Sequence, residues 1–297
     1  MKVAGIEKNS SLMRLFLRFD AQKLAWAVRR YCRFVGEDAL VLEVGSGGNP
    51  FPRSNVLVDA YEETRERHFE KFVHDRPALI CFAEKLPFKS KSFDFVIAAH
   101  VLEHTSDPVG FISELQRIAK AGYIEVPDAF FERINPYLDH RLEITERNDQ
   151  LIIKKKISWR PDHELVDLYE HRVKPNLVKY LMPNKPFCFH VRHFWTDRIE
   201  YKILNPEVDC SWTAPEGGTK KVVRMSISMI ARKFILDLLR RITSQTSRNR
   251  KLNISSILQC PNCNSSAFLR TGDFLNCTVC NYKLKAFLTS DNFVPIK

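Results

Sequence analysis

Short apolar runs recur through the first half of the chain, at residues 39–42, 55–59, 78–82, 93–99 and 123–127. Each is too short for an ordinary helix and reads as a strand. The run 93–99 is apolar on both faces, the pattern of a central parallel strand. Helical spacing appears twice in the same half. Leu12, Leu15, Phe16, Phe19, Leu24 and Val28 share a face behind capping residues at 9–11, which predicts a helix over 10–31 that packs on the core by that face, with a covering role over a ligand as the lesser reading. Phe111, Ile112, Leu115 and Ile118 give an apolar face to a helix over 109–120, with Asp107 as cap, Pro108 at the first helical position and Gly122 past the end. Farther on, 143–154 reads as a hairpin turning at Asn148-Asp149, and 187–195 and 198–203 read as two more strands. Between them, 160–182 reads as an insertion whose His163 and His171 lack the clustering of a metal site.

The chemistry sits where these runs end. The first passes into Val41-Leu-Glu-Val-Gly-Ser-Gly-Gly-Asn-Pro50. Glycine lets a backbone turn sharply and approach a ligand closely, and a strand ending in a glycine loop opens the nucleotide site of Rossmann-like sheets. Alone, such a loop is as often an ordinary turn. The second run, Asn55-Val-Leu-Val-Asp59, ends in an acid able to accept both hydroxyls of a ribose. Then follow Ala83-Glu-Lys-Leu-Pro-Phe88, Ser92-Phe-Asp-Phe-Val-Ile-Ala-Ala-His100 and Val101-Leu-Glu-His-Thr-Ser-Asp-Pro108.

In this order, over 39–128, the series resembles the class I S-adenosylmethionine-dependent methyltransferases, in the branch with a Leu-Glu-His step. The resemblance implies an α/β fold with a Rossmann-like seven-stranded sheet, closed by an antiparallel hairpin that 187–203 would supply. It implies S-adenosylmethionine as cofactor, and Glu43, Gly45, Gly47, Asp59, Ala83, Glu84 and His100 as the residues that bind it. Two positions depart from the family. The third glycine of the loop is displaced, and Phe82 stands where an acid often reads adenine, so stacking and backbone groups around 83 and 84 are the expected hold. His100-Val-Leu-Glu-His104 also fits an inverted zinc-protease motif. It follows a buried strand directly instead of lying within a helix, which weighs against that reading. Asp128, His100, Glu103 and His104 are the candidates for a catalytic base.

Composition adds a second module. The net charge of +11 is concentrated: residues 220–251 hold ten basic residues and one acid, Asp237. Such a stretch is a solvated linker or a contact for RNA or an anionic membrane face. Within it, 234–242 reads as a short amphipathic helix. After it come Cys260-Pro-Asn-Cys263 and Cys277-Thr-Val-Cys280. Two such knuckles supply four thiolates to one zinc and leave no open position, the pattern of a structural site. The stretch 257–296 resembles the zinc-ribbon proteins that activate methyltransferases of tRNA, rRNA and release factors.

The expected organisation is a methyltransferase domain over 1–219, a basic linker over 220–251 and a zinc ribbon over 252–297. No apolar run reaches transmembrane length, and residues 1–10 lack a signal peptide's apolar core. A cytoplasmic location is therefore expected. The expected activity is methyl transfer to a small molecule or saccharide. An RNA or translation-protein acceptor, met through the basic stretch and ribbon, remains open, as does a non-catalytic module that keeps the cofactor fold. The Asn/Asp-Pro-Pro-aromatic motif of the family's adenine and glutamine N-methyltransferases is replaced here by His100-Val-Leu-Glu, which argues against that chemistry.

Overall fold

Three of the predicted strands form a parallel ladder. β1 (Val41–Val44) pairs with β2 (Val56–Asp59), placing Leu42 opposite Val56, and β2 pairs with β3 (Ala78–Ile80), placing Val58 opposite Leu79. β1 and β2 are buried at every position, and apart from Glu43 and Asp59, close to their carboxyl ends, both strands are apolar. The structure, a computed structural model, describes residues 5–67, 69–214 and 227–294. Residue contacts divide the chain into two units: 1–36, 98–116 and 120–216 in the first, and 37–97, 117–119 and 217–297 in the second.

In the second unit the sheet runs β10-β11-β12-β3-β2-β1 and on to the first residues of β4 (Phe95–Ala99), with β10 at Phe268–Thr271, β11 at Phe274–Cys277 and β12 at Lys283–Phe287. The last three are the ribbon. They form an antiparallel meander, and β12 then pairs antiparallel with β3, Ala286 opposite Leu79. The ribbon is thus a continuation of the nucleotide-type sheet. Phe287 packs on the cluster of Leu57, Phe72 and Ala78, and its ring stacks on His74 at 4.2 Å. A second seam runs along 87–89, where Lys89 N donates to Ile257 O at 2.8 Å and Gln259 N to Pro87 O at 3.0 Å.

The amphipathic helix expected at 234–242 lies within a longer helix, Ile227–Thr243; residues 220–226 lie outside the described residues. The end of the basic stretch does not behave as a solvated linker. The short helix Thr246–Lys251 docks on the segment leading into β1: Arg248 donates to the carbonyls of Glu37, Asp38 and Ala39, and Asn249 accepts from the Asn55 amide at 2.8 Å. Arg240 lies 3.3 Å from both Asp75 and Asp237.

In the first unit, β5 (Ala121–Pro127) pairs antiparallel with β8 (His190–Thr196) from Ala121–Thr196 to Pro127–His190. The expected hairpin β6 (Leu142–Arg147) and β7 (Gln150–Lys155) forms, with Asn148 and Asp149 at positive φ in its turn. The closing hairpin assigned to 187–203 does not. β8 goes to β5, whereas β9 (Tyr201–Ile203) pairs in parallel with β7 in a separate three-stranded sheet. The helix expected over 10–31 is also broken. α1 (Ser11–Arg18) and α2 (Gln22–Val28) are separated where Asp20 takes φ 51°, held by Gln22 and Lys185. Met13 and Ala25 are the buried residues, and Leu12, Leu15, Phe19 and Leu24 are exposed, so the expected packing stripe does not pack. The helix following β4, Pro108–Ile118, begins at the predicted proline. Among the described residues no helix is long and apolar enough to cross a membrane.

The ribbon's docking predicts a stability effect. Phe287→Ala removes a half-buried ring from the β2–β3 cluster, so it should cost about 2 kcal/mol, below the range of about 3–5 for a fully buried phenylalanine. The midpoint of urea unfolding measures it, and Val279→Ala, on an exposed ribbon side chain, should leave that midpoint unchanged.

Candidate functional site

The loop after β1 is folded back across the end of β2. Gly45 and Gly47 take φ of 68° and 55°, which L side chains rarely adopt. Gly45 N and Ser46 N both donate to Val58 O, at 2.7 and 3.2 Å. Buried Glu43 ties down the far side of the loop, accepting from Phe51 N at 2.8 Å and from the Ser54 hydroxyl at 2.5 Å. Asp59 ties down the near side, accepting from Gly47 N and Tyr61 N, both at 3.0 Å, and pairing with Arg67. A Cβ on Gly47 would come within 2.8 Å of Arg67 Cδ. Ser46 Oγ is buried in this loop without a hydrogen-bond partner. Beyond the ends of β2 and β3, Tyr61 and Phe82 meet edge to face at 5.7 Å and both are exposed. Ala83, buried, and Glu84, half-buried, follow Phe82.

Glu43, Gly45, Gly47, Asp59, Ala83 and Glu84 therefore all belong to the second unit, at or just beyond its strand ends. An acid, a tight glycine turn, an orphaned hydroxyl and a pair of exposed aromatic faces fit a nucleoside. Tyr61 is a residue that motif reading passed over. The available signal was an aromatic two places past the acid that ends β2.

His100 belongs to the first unit, with Glu103, His104 and Asp128. It takes φ 57°, and its amide donates to Glu125 O at 2.7 Å. Its Nε2 is 3.1 Å from Glu125 Oε1 and its Nδ1 3.5 Å from Glu103 Oε1. Burial works against its charge, but Glu103 and Glu125 outweigh burial and raise His100 to about 9. The two carboxylates favour the charged form of this imidazole. Glu125 is itself wholly buried, taking Arg29 Nε and Nη2 at 2.8 and 2.6 Å and the Tyr123 hydroxyl. Burial would raise its carboxyl, yet Arg29 and then His100 hold it well below the carboxylate range. The Arg29 guanidinium lies 3.7 Å from the Trp26 ring centroid. Asp128 caps α3 (Ala129–Ile134) through Phe130 N at 2.8 Å and accepts from the Thr145 hydroxyl at 2.6 Å. His104 Nδ1 lies 3.2 Å from Asp139 O.

Sequence reasoning missed Arg29, Glu125 and His140. The lone acid inside Tyr123-Ile-Glu-Val-Pro127 was the signal for Glu125, since a buried charge requires a partner. Nothing local marked the other two.

In the ribbon, the ligand atoms of Cys260, Cys263, Cys277 and Cys280 lie within 4.8 Å of one another. Cys260 and Cys280 Sγ are 3.6 Å apart, and Cys263 and Cys277 Sγ 3.5 Å. A tetrahedral ion with Zn–S bonds of about 2.3 Å needs sulfurs about 3.8 Å apart, so the four thiols fit one. Burial raises the Cys277 thiol, but the amides of Val279 and Cys280 aim at its sulfur and bring it to about 7.

The fold is α/β, of the Rossmann-like class I methyltransferase type. Residues 42–124 match the family model of the methyltransferase domain, and that segment of the chain is an S-adenosylmethionine-dependent methyltransferase domain. Similar solved structures include the YcgJ protein from Bacillus subtilis, with 23% identity over 31% of this chain and 45% of that one at a TM-score of 0.25. Another is an S-adenosylmethionine-dependent methyltransferase from Thermotoga maritima, a possible histamine N-methyltransferase, with 24% identity over 39% and 56% and a TM-score of 0.27. A third is the complex between the Haloferax volcanii Trm112 methyltransferase activator and a putative methyltransferase, with 19% identity over 46% and 78% and a TM-score of 0.28. The match spans about half the length of the first two. No curated protein matches the chain.

Asp59 carries the testable load in the cradle. Asp59→Ala removes the anchor of Gly47 N together with an acceptor for ribose, so S-adenosylmethionine binding should weaken by about 1–3 kcal/mol, the range for losing a charged hydrogen bond. Calorimetry on the folded variant checks this, and unchanged affinity would remove Asp59 from the site.

Proposed function

We propose that the chain transfers a methyl group from S-adenosylmethionine to a small-molecule or saccharide acceptor, and that Cys260, Cys263, Cys277 and Cys280 hold one structural zinc. The cradle at the ends of β1 and β2 carries the first half of this reading. Its loop is pinned by Glu43 on one side and Asp59 on the other, and it keeps an orphaned buried hydroxyl on Ser46. In this reading Asp59 accepts from the ribose, the loop at 45–47 allows close approach, and Tyr61 and Phe82 supply aromatic faces for the adenine beside Ala83 and Glu84. His100 serves as a fixed cation, and a carboxylate is the partner its charge suits. The cofactor, when bound, supplies a methyl group already activated as a sulfonium. The residues of the chain then have to bind and orient, and a strong base is not the first requirement. That accords with the engagement of Asp128 as a helix cap and of His100 between two carboxylates.

Two of the ten basic residues of 220–251 are engaged within the chain, which leaves fewer of them for RNA and favours a small acceptor. Arg248 is spent on the carbonyls of 37–39, and Arg240 lies between Asp75 and Asp237. The zinc reading rests on the four thiols alone: an all-sulfur set closes the coordination sphere, as structural sites do.

Incubation with methyl-labelled S-adenosylmethionine and separated small-molecule, protein and RNA fractions tests the reading. Label is expected in the small-molecule fraction, label in RNA would overturn the choice of acceptor, and cofactor binding without label in any fraction would overturn the enzyme. Gly47→Val, at a left-handed position whose Cβ meets Arg67, should weaken cofactor binding at least about ten-fold, or ~1.4 kcal/mol. Cys263→Ser should weaken the thiolate-to-metal absorption of the cobalt-substituted ribbon and lower its melting temperature, because metal binding and folding are coupled in such modules.

A further inference from the structure

Among the buried carboxylates of the first unit, Glu103 stands apart. It is 2% exposed, and neither of its oxygens accepts a hydrogen bond. The nearest cation, His100 Nδ1, is 3.5 Å away and is shared with Glu125, whose own charge Arg29 already meets. A buried carboxylate left without donors costs several kcal/mol. Two imidazoles converge on it. Glu103 and His104 lie together on a 3-10 turn, Leu102–His104, and His140 arrives from the segment before β6, where Arg141 N donates to Glu103 O at 2.7 Å. The ligand atoms of Glu103, His104 and His140 all lie within 4.8 Å of one another. The two histidine rings stand edge to face at 4.7 Å.

The tautomers are set from outside this group. His140 Nδ1 lies 2.7 Å from Glu132 Oε2, and Glu132 is fixed in turn by Lys156 Nζ at 2.7 Å and Tyr137 N at 3.1 Å. A carboxylate that takes the Nδ1 proton leaves Nε2 with its lone pair, and this is how metal-bound histidines are oriented. His104 Nδ1 faces the Asp139 carbonyl, which directs its Nε2 in the same way. The ring of His140 is stacked on Tyr137 at 4.6 Å, which fixes its plane.

The geometry points to a second metal site, in which Glu103, His104 and His140 bind a divalent ion of the zinc and first-row transition-metal class. Two imidazole nitrogens and one carboxylate are the donor set of His2Glu zinc centres and of facial-triad sites for transition metals. A spacing within 4.8 Å closes onto bonds of about 2.0–2.2 Å with small side-chain rotations. Three protein ligands leave open coordination positions, unlike the ribbon's four thiols. The ion gives the Glu103 oxygens the close partner that His100, 3.5 Å away, does not, and the inference stands whether or not the chain transfers methyl groups.

The test uses the full chain. Metal-free protein is saturated with zinc, unbound ion is removed, and zinc per chain is measured. Two ions per chain are expected for the wild type, and one each for Glu103→Gln and His140→Ala. Cobalt added to protein that already holds one zinc keeps the test independent of how the variants fold. The second equivalent is expected to give nitrogen- and oxygen-ligand absorption with no thiolate charge-transfer band. A wild type that retains a single zinc overturns the proposal, as does a second equivalent with the thiolate band. Two ions retained in both folded variants also overturn it; Glu103 would then be balanced by His100 alone.

Discussion

A carboxylate taken out of water has to find its donors inside the protein, and four such acids organise this chain. Glu43 and Asp59 solve the problem with loop amides, joined by the Ser54 hydroxyl for the first and Arg67 for the second. Each accepts loop amides, Phe51 N for one and Gly47 N and Tyr61 N for the other, and in doing so shapes the glycine turn between them. Glu125 solves it with side chains, drawing Arg29 from the end of α2, the Tyr123 hydroxyl and His100 onto one strand. The cradle and the cluster around His100 are thus by-products of satisfying charge. Glu103 is the acid whose account does not close with protein donors, and for that reason a cation is assigned there.

A second constraint acts on the edge of the sheet. An uncovered strand edge invites pairing with other chains. β3 is covered by β12 of the ribbon in antiparallel register, with Phe287 packed into the β2–β3 cluster. The helix Thr246–Lys251 then seals the approach to β1 through Arg248 and Asn249. A meander carrying four clustered thiols, too small to bury a core by itself, gains a neighbour on which to fold, and the parallel strands gain a protected edge. The ribbon and the nucleotide half consequently form one unit of structure, and the basic residues at 240 and 248 serve packing more than partner recognition.

How much of this could be read in advance follows from the range of the interaction responsible. The strands at 41–44, 56–59, 78–80, 95–99 and 121–127, the glycine loop, Asp59, the Asn148-Asp149 turn, the Pro108 helix start and the Cys260, Cys263, Cys277, Cys280 array were legible, because each depends on residues within a few positions of one another. The helix break at Asp20 was not. It shows as a left-handed φ at Asp20, whose partners are Gln22, two places on, and Lys185, which lies 165 residues away in sequence. The same holds for β8 and β9. Their apolar patterns announced strands, but a pattern of period two does not name its partner, and the choice of β5 for one and β7 for the other was made by packing.

The sequence by itself determined the class of fold, the place of the glycine loop and the thiol set of the ribbon, since short-range spacing carries all three. Only the tertiary structure decided that Arg29 would meet Glu125 across 96 residues, that His140 would join Glu103 and His104, and that β12 would complete the edge of β3. Those contacts join segments whose local patterns are indifferent to each other. They form because buried charges must be paired and strand edges covered, and chain topology alone settles which distant groups are within reach to do so.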